Sequence, residues 1–166
     1  MGMKVNHEKQ VAAANDVITA LDAEFSGEGL SCELRMHAGG KQQRSYVYLE
    51  CPPSIWLIVA ETLSEVHGVD YCSMITGIHW PEKAPEMEWQ IVVHLMRMGI
   101  QNPPSSEGIV IPIISDASIL QGSDMPLEFE ISIPISETRT PTVPSVQHIW
   151  VGADWNEKET WDLVGI

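Results

Sequence analysis

From Leu127 to Ile135 apolar and polar residues alternate. Leu127, Phe129, Ile131, Ile133 and Ile135 fall on one side, and Glu128, Glu130, Ser132 and Pro134 on the other. A period of two places the sets on opposite faces of a β-strand. Pro134 cannot donate to a ladder, so it marks an edge or a strand end. Cys32, Leu34 and Met36 alternate in the same way with Glu33, Arg35 and His37. Residues 38–41 then read as a turn, and 46–51 as a returning strand. Residues 71–80 form an apolar strand that Pro81 ends. Residues 87–98 alternate again, with Trp89, Ile91, Val93 and Leu95 on one side. Residues 109–114 are a short β-favouring run.

Helical spacing shows in two places. Val11, Ala14, Ile18, Leu21 and Phe25 form one stripe, with Asn6 as its N-cap and Gly27 and Gly29 at its end. Pro52 and Pro53 stop the strand before them. Pro53 suits the first turn of a second helix, which reaches about Val66 and points Trp56, Val59, Ala60 and Leu63 inward. Near the C-terminus Ser145 is placed to cap a short helix holding Val146, Ile149 and Trp150. Asp154 or Asn156 is placed to cap another. Hairpin-like strand pairs separated by helices predict an α+β fold: a mostly antiparallel sheet with two helices packed on it and short C-terminal helices. Residues 1–166 read as a single domain, with an irregular surface excursion over 99–126.

Composition narrows the function. The net charge is −14, which repels phosphate backbones and anionic lipid, so no nucleic acid is expected as a partner. Cys32, Cys51 and Cys72 are widely spaced, with no Cys-x-x-Cys pair, and read as buried free thiols. The eight methionines read as core fillers. The N-terminus lacks the apolar core of a signal peptide, and no apolar run is long enough to cross a bilayer. No direct membrane insertion is expected.

Candidate chemistry is sparse. Gly27-x-Gly29 lacks a third glycine, and Gly39-Gly40-Lys41 lacks the Ser or Thr of a phosphate loop. No nucleophile elbow occurs. His94 shares the polar side of its strand with Glu88, Gln90, Val92 and Met96, and reads as solvent-facing or hydrogen-bonded. His79 and His148 have no partner legible from spacing. Glu86/Glu88 and Glu128/Glu130 read as solvated carboxylate pairs. No catalytic, cofactor-binding or metal residue is assigned.

The segment 141–166 carries more. Trp155, Glu159 and Asp162 fall on one side of a helix there, and Glu157, Trp161 and Val164 on another. Bulky aromatics interleaved with acids are enriched at interface hot spots. The segment also resembles the signature of the respiratory-chain complex I 30 kDa subunit family, a component of NADH-quinone oxidoreductase. The matching residues are Val143-Pro144-Ser145-Val146, Ile149-Trp150, Ala153, Trp155, Glu157, Glu159, Asp162, Gly165 and Ile166. Two earlier stretches, 72–82 and 89–96, are similar to the same family in the same order. Departures are Lys158 for Arg, Trp161 for Tyr and Val164 for Phe. The excursion is longer than the family's. The family pattern continues into a Gly-His-Pro-containing tail, so a truncated chain or a short member is expected.

This resemblance implies a non-catalytic structural subunit that holds no cofactor. It implies a place in the peripheral arm of an NADH-quinone oxidoreductase, where electrons pass from NADH to quinone. The implied partners are other peripheral-arm subunits, especially the quinone-cavity (49 kDa-type) subunit. The implied location is the cytoplasmic face of the membrane, held through those partners. Trp155, Glu157, Lys158, Glu159, Trp161 and Asp162 are the expected docking residues. Rival expectations are a free-standing binding or regulatory domain, the equivalent subunit of a membrane-bound [NiFe] hydrogenase, or a small enzyme with a scattered site.

Overall fold

A computed structural model gives the structure of residues 7–39, 44–98 and 120–166. The elements run α1 (His7–Glu24), β1 (Ser31–Met36), β2 (Ser45–Glu50), α2 (Trp56–Glu65), β3 (Tyr71–His79), β4 (Trp89–Arg97), β5 (Leu127–Ile135) and α3 (Ala153–Val164). The five strands form one sheet in the order β1-β2-β5-β4-β3. β5 runs parallel to β2 over four residue pairs, Val47↔Phe129 to Glu50↔Ser132, and every other pairing is antiparallel. The fold is therefore α+β with a mostly antiparallel sheet, as the alternation predicts.

Alternation becomes burial on one face. Val47, Leu49, Ile91, Val93, Leu95, Phe129, Ile131 and Ile133 are all buried there. α1 covers the β1–β2 end, with Ala13, Ala14, Val17 and Leu21 buried. The stripe is rotated from the expected one, since Val11 and Ile18 are only half-buried. α2 buries Trp56, Val59, Ala60 and Leu63, as their spacing predicts, though its first turn begins three residues after Pro53. α3 lies over β3. Burying the larger of those side chains at about 1.5–3 kcal/mol each is what holds helices to sheet.

Pro134 sits in the central strand, so the edge reading fails and the strand-end reading holds. The Ser132 carbonyl accepts the Cys51 N–H at 2.8 Å, so Ser132 points its backbone toward β2. Two residues on, Pro134 points the same way, but the β2 pairing has already ended. The missing N–H leaves no ladder bond unmade.

The C-terminal region differs from expectation. Residues 147–149 form a turn, not a helix, and one helix of 12 residues follows. Gly152 stands at its N-cap and no side chain caps it. Asn156 Nδ2 instead donates to the Gly152 carbonyl at 2.8 Å, and Asp154 takes Lys158 Nζ at 2.7 Å. The expected cap at Asn6, the second half of the turn over 38–41, the strand over 109–114 and most of the 99–126 excursion lie outside the described residues, while residues 38–39 form a bend. The excursion's described end holds a 3-10 turn at Gly122–Asp124.

Cys51 and Cys72 are buried, but Cys32 is only half-buried, because β1 is an edge strand with one row of neighbours. Met125 fills the core, whereas Met36, Met74 and Met98 are exposed, so the methionines are not uniformly core. Glu128 is not merely solvated: Arg44 donates to one of its oxygens and His37 Nε2 lies 2.8 Å from the other. His79 stacks on Trp89 with ring centroids 4.0 Å apart, and His148 lies 3.8 Å from Glu61. His94 lies 3.6 Å from Glu130, across the β4–β5 ladder.

Candidate docking surface

α3 is held from beneath by three devices. The first is a close approach at Gly77 on β3. A Cβ there would stand 2.7 Å from Thr160 Cγ2 and 3.3 Å from Val164 Cβ, so only glycine lets the helix sit this near the strand. The second is Thr160, whose hydroxyl lies 2.9 Å from the Asn156 carbonyl and 3.5 Å from the Ile75 carbonyl. The third is Glu157. One of its oxygens accepts the Val146 N–H at 2.8 Å and the other the Ser145 hydroxyl at 2.6 Å. Ser145 thus serves α3 from outside, while its Oγ accepts the Gln147 N–H at 3.3 Å and opens the 147–149 turn in place of a helix. The chain around Val143–Val146 is strapped down with it, and Trp150 locks the far end by donating its indole N–H to the Val69 carbonyl at 2.9 Å. Beneath the strap lies a cavity of about 110 Å³, walled by Trp56, Ile75, Ile91, Val93 and Ile166 among others.

With that side anchored, the opposite arc of α3 faces water. At 3.6 residues per turn the order around the arc is Trp161, Asp154, Lys158, Asp162, Trp155, Glu159, Leu163. Trp155 is 69% exposed and Trp161 65%. The Trp155 indole donates to Glu159 at 3.2 Å, and Lys158 is paired with Asp154. Two indoles therefore flank a charged strip, and the six expected docking residues line one open concavity with Gln147 and Asp154.

Those six do not play one part. Trp155, Lys158, Glu159, Trp161 and Asp162 are exposed, whereas Glu157 is half-buried and spends both oxygens on its own chain. Trp161 does not share the inward side with Glu157 and Val164, because a 40° rotation per i, i+4 step carries it to the rim. Sequence reasoning missed Leu163, 84% exposed on the same arc, and Gly77 beneath it. A full turn-by-turn plot of 153–164 finds Leu163. Nothing local to residue 77 announces its role.

Among the described residues the remaining reactive groups are the three thiols. Burial pushes the Cys51 thiol to about 12 and the Cys72 thiol to about 11. Burial, with help from Asp22, pushes Cys32 to about 12. Thiols so protonated are poor nucleophiles and ligands at neutral pH. Among the described residues no group of three His, Cys, Asp or Glu side chains is placed to hold a metal ion, and no helix is long and apolar enough to cross a membrane.

Residues 49–166 match the family of the respiratory-chain NADH dehydrogenase, 30 Kd subunit. The chain is 29% identical over 120 residues to the chloroplastic NAD(P)H-quinone oxidoreductase subunit J of Drimys granadensis, covering 68% of this chain and 73% of that one. Against subunit J of Illicium oligandrum the identity is 28% over 121 residues, with the same coverage. A solved structure of Nqo5, a trypsin-resistant fragment, shares the fold with a TM-score of 0.55 at 17% identity, with 92% of each chain covered.

Proposed function

The chain belongs to the respiratory-chain NADH dehydrogenase 30 kDa subunit family, and from that premise we propose that it acts as a non-catalytic structural subunit of the peripheral arm. It supports electron transfer to quinone by docking neighbouring subunits, the 49 kDa-type subunit first among them. It sits on the cytoplasmic side of the membrane through those partners.

The observation that supports this most is the exposure of Trp155 and Trp161 on a helix whose other side is fixed three ways. A chain on its own gains little by leaving two indoles in water, whereas tryptophan anchors are what a protein partner buries. Fixing the helix beforehand also lowers the ordering cost of association.

Replacing Glu159 and Trp161 together by alanine tests the reading. Association with the complex is expected to fall by at least tenfold while the melting temperature of the isolated chain stays within about 2 °C, as for surface substitutions. Normal association of a strongly destabilised chain would overturn it.

A further inference from the structure

The three described α-helices lie on one face of the sheet. Cys32 of β1 faces Asp22 of α1, and Ile75, Ile91 and Val93 face Trp56 of α2 and Thr160 of α3 across one cavity. The registers then place Tyr71, Met74, Thr76 and Ile78 of β3 on the other face, beside Met96, His94, Val92 and Gln90 of β4. No described helix covers them. Tyr71 is 53% exposed and Met74 43%, whereas Thr76, Ile78, Val92 and Met96 are half-buried and the Trp80 indole donates to Gln90 at the far end.

Tyr71, Met74, Thr76, Ile78, Val92 and Met96 make a stripe without a formal charge, on a chain whose net charge is −14. The stripe is two strands wide, about 10 Å, and nine residues long, about 30 Å. A helix of about 20 residues has those dimensions. The stripe offers roughly 300 Å², less than the ~800 Å² that one side of a stable interface contributes, so such a helix adds to the contact made by α3 instead of replacing it. Along its β5–β2 margin stand Glu128, Glu130 and Glu50, with Asp70 at one end. Glu128 is matched by Arg44 and His37, and Arg35 lies over Tyr48 paired with Glu33, whereas among the described residues Glu130 has His94 at 3.6 Å as its ion-pair neighbour.

We propose that this open face is a second docking surface, and that it takes an amphipathic helix of another polypeptide carrying Lys or Arg along one flank. The apolar side of that helix covers the Tyr71–Met96 stripe, and its cations meet Glu130 and Glu50. A second copy of this chain does not fit, because it brings another −14 and an acidic margin of its own. Residues 99–119 of this chain do not fit the margin either, since they contain no Lys or Arg. The proposal rests on reading the chain as an assembly subunit, but uses the face opposite α3. The subunit is then gripped on two sides.

Photo-crosslinking tests it in the chain purified within its native assembly, with benzoylphenylalanine placed at Tyr71 in one preparation and at Trp155 in another. The Tyr71 position is expected to label a helical segment of another polypeptide that carries Lys or Arg on one flank. Met74→Glu is expected to lower the assembled fraction at least tenfold with an unchanged melting temperature. Glu130→Gln with Glu50→Gln is expected to lower it several-fold and flatten its salt dependence. Labelling of residues 99–119, of a second copy, or of a segment without cations would overturn the proposal. So would no labelling at Tyr71 while Trp155 labels a partner. Silence at both positions would sink the docking reading itself, which keeps the two failures distinct.

Discussion

Glu157 accepts the backbone N–H of Val146 at 2.8 Å, from a helix eleven residues further along the chain. With the Ser145 hydroxyl on its second oxygen, the same carboxylate fastens the strap to α3. Of the acids on this helix it is the one turned inward, and its effect belongs to packing before docking.

Removing that carboxylate therefore costs stability. Glu157→Ala leaves the Val146 N–H and the Ser145 hydroxyl without their charged acceptor, and hydrogen bonds to charged groups are worth about 1.5–3 kcal/mol each. A net loss of about 2 kcal/mol is expected in urea unfolding. Glu157→Gln keeps one acceptor oxygen and should lose less. The contrast with Trp161→Ala, which touches no strap contact, separates fold from surface.

Gly77 sets how closely α3 approaches the sheet. Gly77→Ala puts a methyl 2.7 Å from Thr160 Cγ2, and Thr160 is held by two backbone carbonyls. The helix must move, and overpacking of this kind costs about 1–3 kcal/mol. The measurement is thermal unfolding. Thr160→Ser removes the offending methyl, so Gly77→Ala should be milder in that background.

How much of this was legible follows from what each element depends on. α2 was readable because Trp56, Val59, Ala60 and Leu63 meet the core at helical spacing. β5 was readable because one face is wholly buried. Ser145 was half-readable: it accepts the Gln147 N–H at 3.3 Å as a cap would, but it opens a turn instead of a helix, and its second partner, Glu157, is defined only once the chain has folded back. Strand order was hidden for a related reason: β5 enters between β2 and β4, and nothing within 127–135 encodes its neighbours. The exposed arc of α3 was readable apart from Glu157, because an exposed helix face depends on local periodicity alone. Arg97 was unreadable, because an arginine on the core side of a strand contradicts the pattern until its acceptors are known.

Acid should weaken the fold in two steps. Burial lowers the pKa of His67, and the Arg97 cation beside it lowers it further. A histidine held neutral in the fold stabilises above its unfolded pKa, about 6.5, and the fold loses that stability as pH falls below it. At Glu128 burial alone would raise the pKa, but the hydrogen bonds from Arg44 and His37 outweigh it and the pKa is lowered. Its contribution is present above about pH 4.3 and fades as pH falls through the folded pKa. His67→Gln should flatten the stability curve between pH 7 and 5, and Glu128→Gln should flatten it below about 4.3. Urea midpoints across pH 3–8 measure both.

Arg97 closes the core side of β4, after Ile91, Val93 and Leu95, and is itself 4% exposed. Its Nε donates to the Met125 carbonyl at 2.9 Å, and its terminal nitrogens donate to the carbonyls of His67 at 3.2 Å and Gly122 at 3.0 Å. One guanidinium thus ties the turn after α2 to the 3-10 turn before β5. Burial lowers its pKa, and the nearby Asp124 and Asp70 work against that. Arg97→Met fills similar volume but leaves three carbonyls without a donor, at about 1 kcal/mol or more each, so a loss of about 3 kcal/mol is expected. Arg97→Lys should recover little, because an ammonium is a point donor and cannot span three acceptors that a planar fork reaches. The same substitution removes the cation beside His67, so the His67 pKa must rise in Arg97→Met. An NMR titration of His67 that shows no rise would mean that burial alone sets that histidine, and that the clamp is not coupled to it.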